Sequence, residues 1–153
     1  MSTLNDRHIR VLNNLIEVTL DSAHGYRDAA KDAKNPQFKT LFEKRSMERN
    51  QLTAELQAEV RGLGGKPEDE GAMLASVHRV FLNLKNAVAG SDQSIIAEVE
   101  AGEDHIKAKF EAALQHENLS VPVKGVVAKL YSVIKAGHDQ MRELKHDLQA
   151  RRN

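Results

Sequence analysis

Glu43-Lys-Arg-Ser-Met-Glu-Arg-Asn-Gln51 puts charged and amide side chains in the middle of a segment whose two flanks have helical spacing. Phe38, Leu41 and Phe42 precede it, and Leu52, Leu56, Val60 and Leu63 follow it. Apolar residues three and four apart share one face of a helix. The inward stripe of this helix therefore passes through Arg45, Glu48 and Gln51 or their neighbours. A charge in such a position costs roughly a few kcal/mol to bury unless it is paired, hydrogen-bonded or bound to a metal. The rest of the fold has to supply that partner.

Working outward, the segment before this helix carries Leu12, Leu15, Ile16, Leu20, Ala23, Tyr26 and Ala30 at intervals of three and four, which predicts a helix over 4–34. Thr3 or Asn5 is placed to cap its start. Asn35-Pro36 ends it and opens the next, because the residue before proline avoids α geometry while proline suits a first helical position. The second helix is predicted over 36–61 and stops at Gly62-Leu-Gly-Gly-Lys-Pro67. Pro67-Glu-Asp-Glu-Gly71 reads as an acidic loop. Leu74, Val77, Phe81, Leu84 and Val88 then give a narrow apolar face to a helix over 71–89. Ser91 or Asp92 can cap a helix over 92–117, with Ile95, Ile96, Val99, Ile106, Phe110 and Leu114 inward. After the short link Asn118-Leu-Ser-Val-Pro122, a last helix over 121–149 buries Val123, Val126, Val127, Leu130, Ile134, Met141, Leu144 and Leu148.

These elements make an all-α four-helix bundle in a single domain over 1–153. Its first and last connections are tight, so each joins antiparallel neighbours. The middle link is long enough to return along the bundle, so the second and third long helices run parallel and the 71–89 helix packs outside as a crossover. Composition agrees: few aromatics, three prolines and abundant helix formers offer no convincing strand.

Composition also limits function. The chain has no cysteine, which removes disulfides, thiol catalysis and Cys-held clusters or zinc. Lys plus Arg equal Asp plus Glu at 22 each, so no overall field favours nucleic acid or an anionic membrane. No window approaches the roughly 20 apolar residues of a membrane span. Met1-Ser-Thr-Leu-Asn-Asp6 has no basic region leading into an apolar run, so the expected location is the cytoplasm. Gly62-Leu-Gly-Gly65 follows a helix and lacks a Lys-Ser/Thr, so it reads as a terminator and not a phosphate loop.

Paired hairpins, a long crossover and inward polar residues near the middle of all four helices resemble the ferritin-like superfamily of bacterioferritin and rubrerythrin. Leu15-Ile-Glu-Val-Thr-Leu-Asp-Ser-Ala-His-Gly-Tyr-Arg-Asp-Ala-Ala30 and Glu43 to Gln51 resemble most the small bacterial ferritin-like proteins of unknown function. In the superfamily, one Glu from each of two helices and a Glu-x-x-His from each of the other two hold two irons. The resemblance places these ligands at Thr19, at Glu48 with Gln51, at Glu103 or Glu100, and at Lys135 with His138. Threonine, glutamine and lysine replace a carboxylate, a histidine and a carboxylate. Lys135, with Arg45, is then expected to replace metal charge by pairing with Glu48 and Glu103, in a polar network that includes Tyr26. The alternative is a surviving iron or zinc site made by Glu48, Glu103 and His138, with Glu100 or Glu17.

Two literal carboxylate-histidine motifs, Asp21-Ser-Ala-His24 and Glu143-Leu-Lys-His146, read as solvent-facing helix pairs, and His8, His78, His105 and His116 as ordinary surface residues. Three functions follow: a non-enzymatic bundle with a structural polar centre, a metal-binding or iron-oxidising protein, or a homo-oligomeric module, such as a dimer, packing through Phe81 and Leu84 of the crossover or through the first helix.

Overall fold

The structure, a computed structural model, describes residues 3–69 and 91–152. Four long helices run through them: α1 (Leu4–Asp32), α2 (Pro36–Gly62), α3 (Asp92–His116) and α4 (Val121–Arg152). The expected crossover helix, with Phe81, Leu84 and His78, lies outside the described residues.

Local chemistry explains each boundary. Thr3 Oγ1 accepts from the Asp6 amide and the Asp6 carboxylate accepts from the Thr3 amide, each at 3.0 Å, so two otherwise orphaned donors at the start of α1 are satisfied reciprocally. α1 stops at Asp32, two residues before the expected Lys34, because the chain is already extended at Ala33 and at Asn35 ahead of Pro36. Asn35 Oδ1 then caps α2 by accepting from the Gln37 amide at 2.9 Å. At the far end of α2, the Gly64 amide donates to Arg61 and the Gly65 amide to Val60, both at 2.9 Å, and Gly64 takes the positive φ of 84° that this closing turn needs.

Side chains from distant elements fix the topology. Asp92, at the start of α3, accepts from the Lys34 amide at 2.7 Å and the Asn35 amide at 2.9 Å, between α1 and α2. His8, near the start of α1, accepts at Nε2 from the Ser120 amide at 3.2 Å, just before α4. α2 and α3 therefore start at one end of the bundle, and α1 and α4 at the other, giving an up-down-down-up order. The end of α2 and the start of α3 therefore lie at opposite ends of the bundle, about 40 Å apart for a helix of this size. Asn13 of α1 holds the segment just past α2, accepting from the Glu68 amide at 2.8 Å and donating to Lys66 O at 3.2 Å.

The core is divided in two. One apolar cluster includes Leu12, Leu15, Ile16, Leu56, Val60, Ile106, Phe110, Val127, Leu130 and Ile134. The other includes Tyr26, Phe42, Ile95, Ile96, Val99 and Met141. Each fully buried large apolar side chain contributes about 1.5–3 kcal/mol, so these clusters, not the polar groups between them, stabilise the fold. Along all four helices the clusters leave a gap in the same layer, near Ser22, Ser46 to Arg49, Glu103 and Gly137. No described helix is long and apolar enough to cross a membrane.

Candidate functional site

A buried ion pair fills this gap. Arg49 of α2 meets Glu103 of α3 through two parallel bonds, Nη1 to Oε1 at 2.7 Å and Nη2 to Oε2 at 2.8 Å, and both side chains are 0% exposed. Arg49 Nη1 also donates to Ser22 Oγ of α1 at 3.0 Å. Its guanidinium carbon lies 5.6 Å from the centre of the Tyr26 ring, where an aromatic face attracts a cation. Burial disfavours the charged arginine, but the Glu103 carboxylate, together with Tyr26 and Glu48, outweighs it and holds the Arg49 pKa above its usual value. Burial first, and the Glu103 carboxylate second, push the Tyr26 phenol well above its ordinary range, so Tyr26 is neutral.

A second cation adjoins the first. Arg45 Nη1 donates to both Glu48 oxygens, at 3.0 and 3.2 Å, and Arg45 Nη2 is bonded to Gln140 of α4. Arg49 Nε lies 3.6 Å from Glu48. Two guanidinium groups thus face two carboxylates, and the charges of these four side chains balance. Gly137 of α4 makes room for them: a β-carbon there would come within 2.5 Å of Arg49 Nη2 and 2.9 Å of Arg45 Nη1.

The structure moves several expected residues. Gln51 is exposed, because one residue of displacement turns a helical side chain by about 100°. Lys135 is 54% exposed and pairs with Asp139 at 3.0 Å along its own helix. It does not serve as the counter-charge of the core. That role belongs to Arg49, with Arg45 on its flank. Thr19 is buried, but its hydroxyl donates to Leu15 O at 2.6 Å within α1. Glu17 is half-buried, and Glu48 is 34% exposed at the edge of the layer. Asp21 and His24, expected at the surface, are buried, as is His8. Every residue from Thr19 to Tyr26 is buried, so the middle of α1 is covered all round and has no solvent face. His116, Glu143 and His146 are exposed and His105 is half-buried.

His138 is buried but turns away from the centre. Its Nε2 lies 2.6 Å from Asp104 Oδ1 and its Nδ1 lies 3.1 Å from Asp139 Oδ1. Burial lowers its pKa, but these two bonds outweigh that and hold it above the usual histidine value. Glu100 sits nearby, paired with Lys145 at 3.3 Å. Glu100, Asp104 and His138 bring ligand atoms within 4.8 Å of one another. The six positions aligned with a bundle-centre metal site are therefore dispersed: Glu103 is held by Arg49, Glu48 by Arg45, Thr19 by its own helix, His138 faces outward, and Gln51 and Lys135 are exposed. The residues present do not fit a di-metal group, because an arginine stands where the metal charge would be.

Arg49, Ser22, Gly137 and Asp104 escaped the reading of the sequence. A signal for Arg49 existed: Phe42, Ser46, Arg49, Thr53, Leu56 and Val60 are buried at alternating steps of four and three, and this phase can be run inward from the apolar residues at either end.

A family model described as a domain of unknown function, DUF2383, matches residues 7–116 of this chain. The chain belongs to the DUF2383 family. No curated protein matches it. Among solved structures, a point mutant of Dps1 from Mycobacterium smegmatis superimposes on the DUF2383 chain with a TM-score of 0.77, covering 95% of this chain and 99% of that one at 11% identity. At this identity the likeness shows the fold, which is an all-α, ferritin-like four-helix bundle.

Proposed function

We propose that this DUF2383 protein is a non-enzymatic ferritin-like bundle in which an ion pair takes the place of a bundle-centre metal, and that it acts through its surfaces rather than by turnover. The Arg49–Glu103 pair carries this reading: a fully buried guanidinium claims both oxygens of a fully buried carboxylate between α2 and α3. A metal ion there would have to displace that guanidinium and leave it buried without its counter-charge, at a cost of several kcal/mol. The pair also matches a fixed fork on α2 to a fixed carboxylate on α3, which suits it to setting the register of the two hairpins. A bundle built in this way holds its shape whatever the supply or oxidation state of iron.

Ferrous iron and oxygen test the proposal. Purified protein is expected to oxidise iron no faster than buffer. Oxidation faster than buffer that Glu103→Gln abolishes would overturn it.

A further inference from the structure

Outside the ionic centre, on the flank where α4 crosses α3, we propose that Glu100, Asp104 and His138 form a site for a divalent cation of the zinc class. Glu100 and Asp104 are one helical turn apart and present their carboxylates on the same face of α3. His138 reaches them from α4, and the three ligand atoms lie within 4.8 Å of one another. Zinc bonds of about 2.0–2.2 Å put tetrahedral ligands about 3.3–3.6 Å apart. Small adjustments suffice, since Asp104 is 60% exposed and its side chain can open outward. One imidazole and two carboxylates are a borderline donor set that suits zinc, with a fourth position left to water.

The surroundings of His138 supply an independent reason. Its side chain is only 8% exposed, yet both ring nitrogens face carboxylate oxygens. A neutral imidazole has one N–H for these two contacts. With Nδ1–H on Asp139, Nε2 faces Asp104 Oδ1 at 2.6 Å, a hydrogen-bond distance that a second ring proton fills in the metal-free protein. A divalent cation can take the place of that proton, with Nε2 and Oδ1 moving apart to the ligand spacing above. The Asp139 contact is the arrangement that orients histidine ligands in metal sites, with the distal N–H held by a carboxylate. Neighbouring lysines leave the ligands usable: Lys145 contacts Oε2 of Glu100, Lys135 contacts Oδ2 of Asp139, and Lys107 is engaged by Glu111 at 2.9 Å.

Calorimetric titration of the full-length protein with zinc, repeated with cobalt(II) by visible absorption, tests the site. Saturable binding of one ion per chain is expected. Asp104→Asn should weaken it about tenfold or more, and Asp139→Asn by about 10–100-fold. No saturable binding, or binding that Asp104→Asn leaves unchanged, overturns the flank site. Absence of binding leaves the ionic-centre proposal intact. Binding that is lost in Glu103→Gln but kept in Asp104→Asn would put the metal at the bundle centre and defeat both proposals.

Discussion

Arg49→Met removes the guanidinium from the centre and leaves Glu103, which is 0% exposed, as a buried carboxylate without its counter-charge. Two unit charges about 3–4 Å apart attract by roughly 4–6 kcal/mol at an effective dielectric of about 20. Desolvating both ions takes back a comparable amount, so the intact pair is close to neutral in net stability. Removing one partner keeps the desolvation and loses the attraction, and Arg49→Met is expected to destabilise the bundle by about 3–5 kcal/mol. At about 2–4 °C per kcal/mol for a chain of this size, the thermal midpoint falls by roughly 6–20 °C. Glu103→Leu should cost a similar amount, because it strands the guanidinium instead. The double variant Arg49→Met with Glu103→Leu should return to within about 1 kcal/mol of the parent or exceed it, since apolar side chains of similar volume often match a buried pair. Urea and thermal unfolding, followed by helical circular dichroism, give the three values and hence the coupling energy. The reasoning fails if the double variant loses the sum of the two single losses, or if Arg49→Met costs less than about 1 kcal/mol.

Three further outcomes follow from particular contacts. Gly137→Ala should cost about 1–3 kcal/mol in urea unfolding, because the added carbon meets Arg49 Nη2 at 2.5 Å and that guanidinium, fixed on both Glu103 oxygens, has little freedom to retreat. Asp92→Ala should lower stability by about 1–3 kcal/mol and speed hydrogen exchange at the Lys34 and Asn35 amides, whose acceptor it removes. Tyr26 should show no phenolate absorbance near the ordinary tyrosine pKa of about 10 while the protein is folded. Its pKa is raised on folding, so its contribution to stability is complete below about pH 10 and is lost as pH rises further, with ionisation and unfolding coinciding. Phenolate absorbance that grows while the helical signal stays intact, and that Tyr26→Phe removes, contradicts this.

The fold class was legible because its signals are local. Apolar residues at three and four, Asn35-Pro36 and the glycines after Arg61 act over one or two turns, and each describes a helix or its end without reference to the rest of the chain. Glu43 to Gln51 likewise announced that a charged layer crosses the core, because its apolar flanks leave no other place for it. Which charge points inward is a different kind of question. Arg45, Glu48 and Arg49 all lie within about 100° of one another around the helix, close to the stripe. The choice of Arg49 depends on a carboxylate that lies 54 residues later on α3, a hydroxyl on α1 and a missing β-carbon on α4. Lys135 looked like the counter-charge because the resemblance aligned it with a ligand, but its long flexible side chain finds water and Asp139 on its own helix. The sequence by itself determined four helices and a polar middle, since helical periodicity and capping are properties of neighbouring residues. Only the tertiary structure decided that an Arg49–Glu103 pair closes that middle and that His138 faces outward to Asp104, because pairing buried charges requires knowing which helices meet and at what rotation.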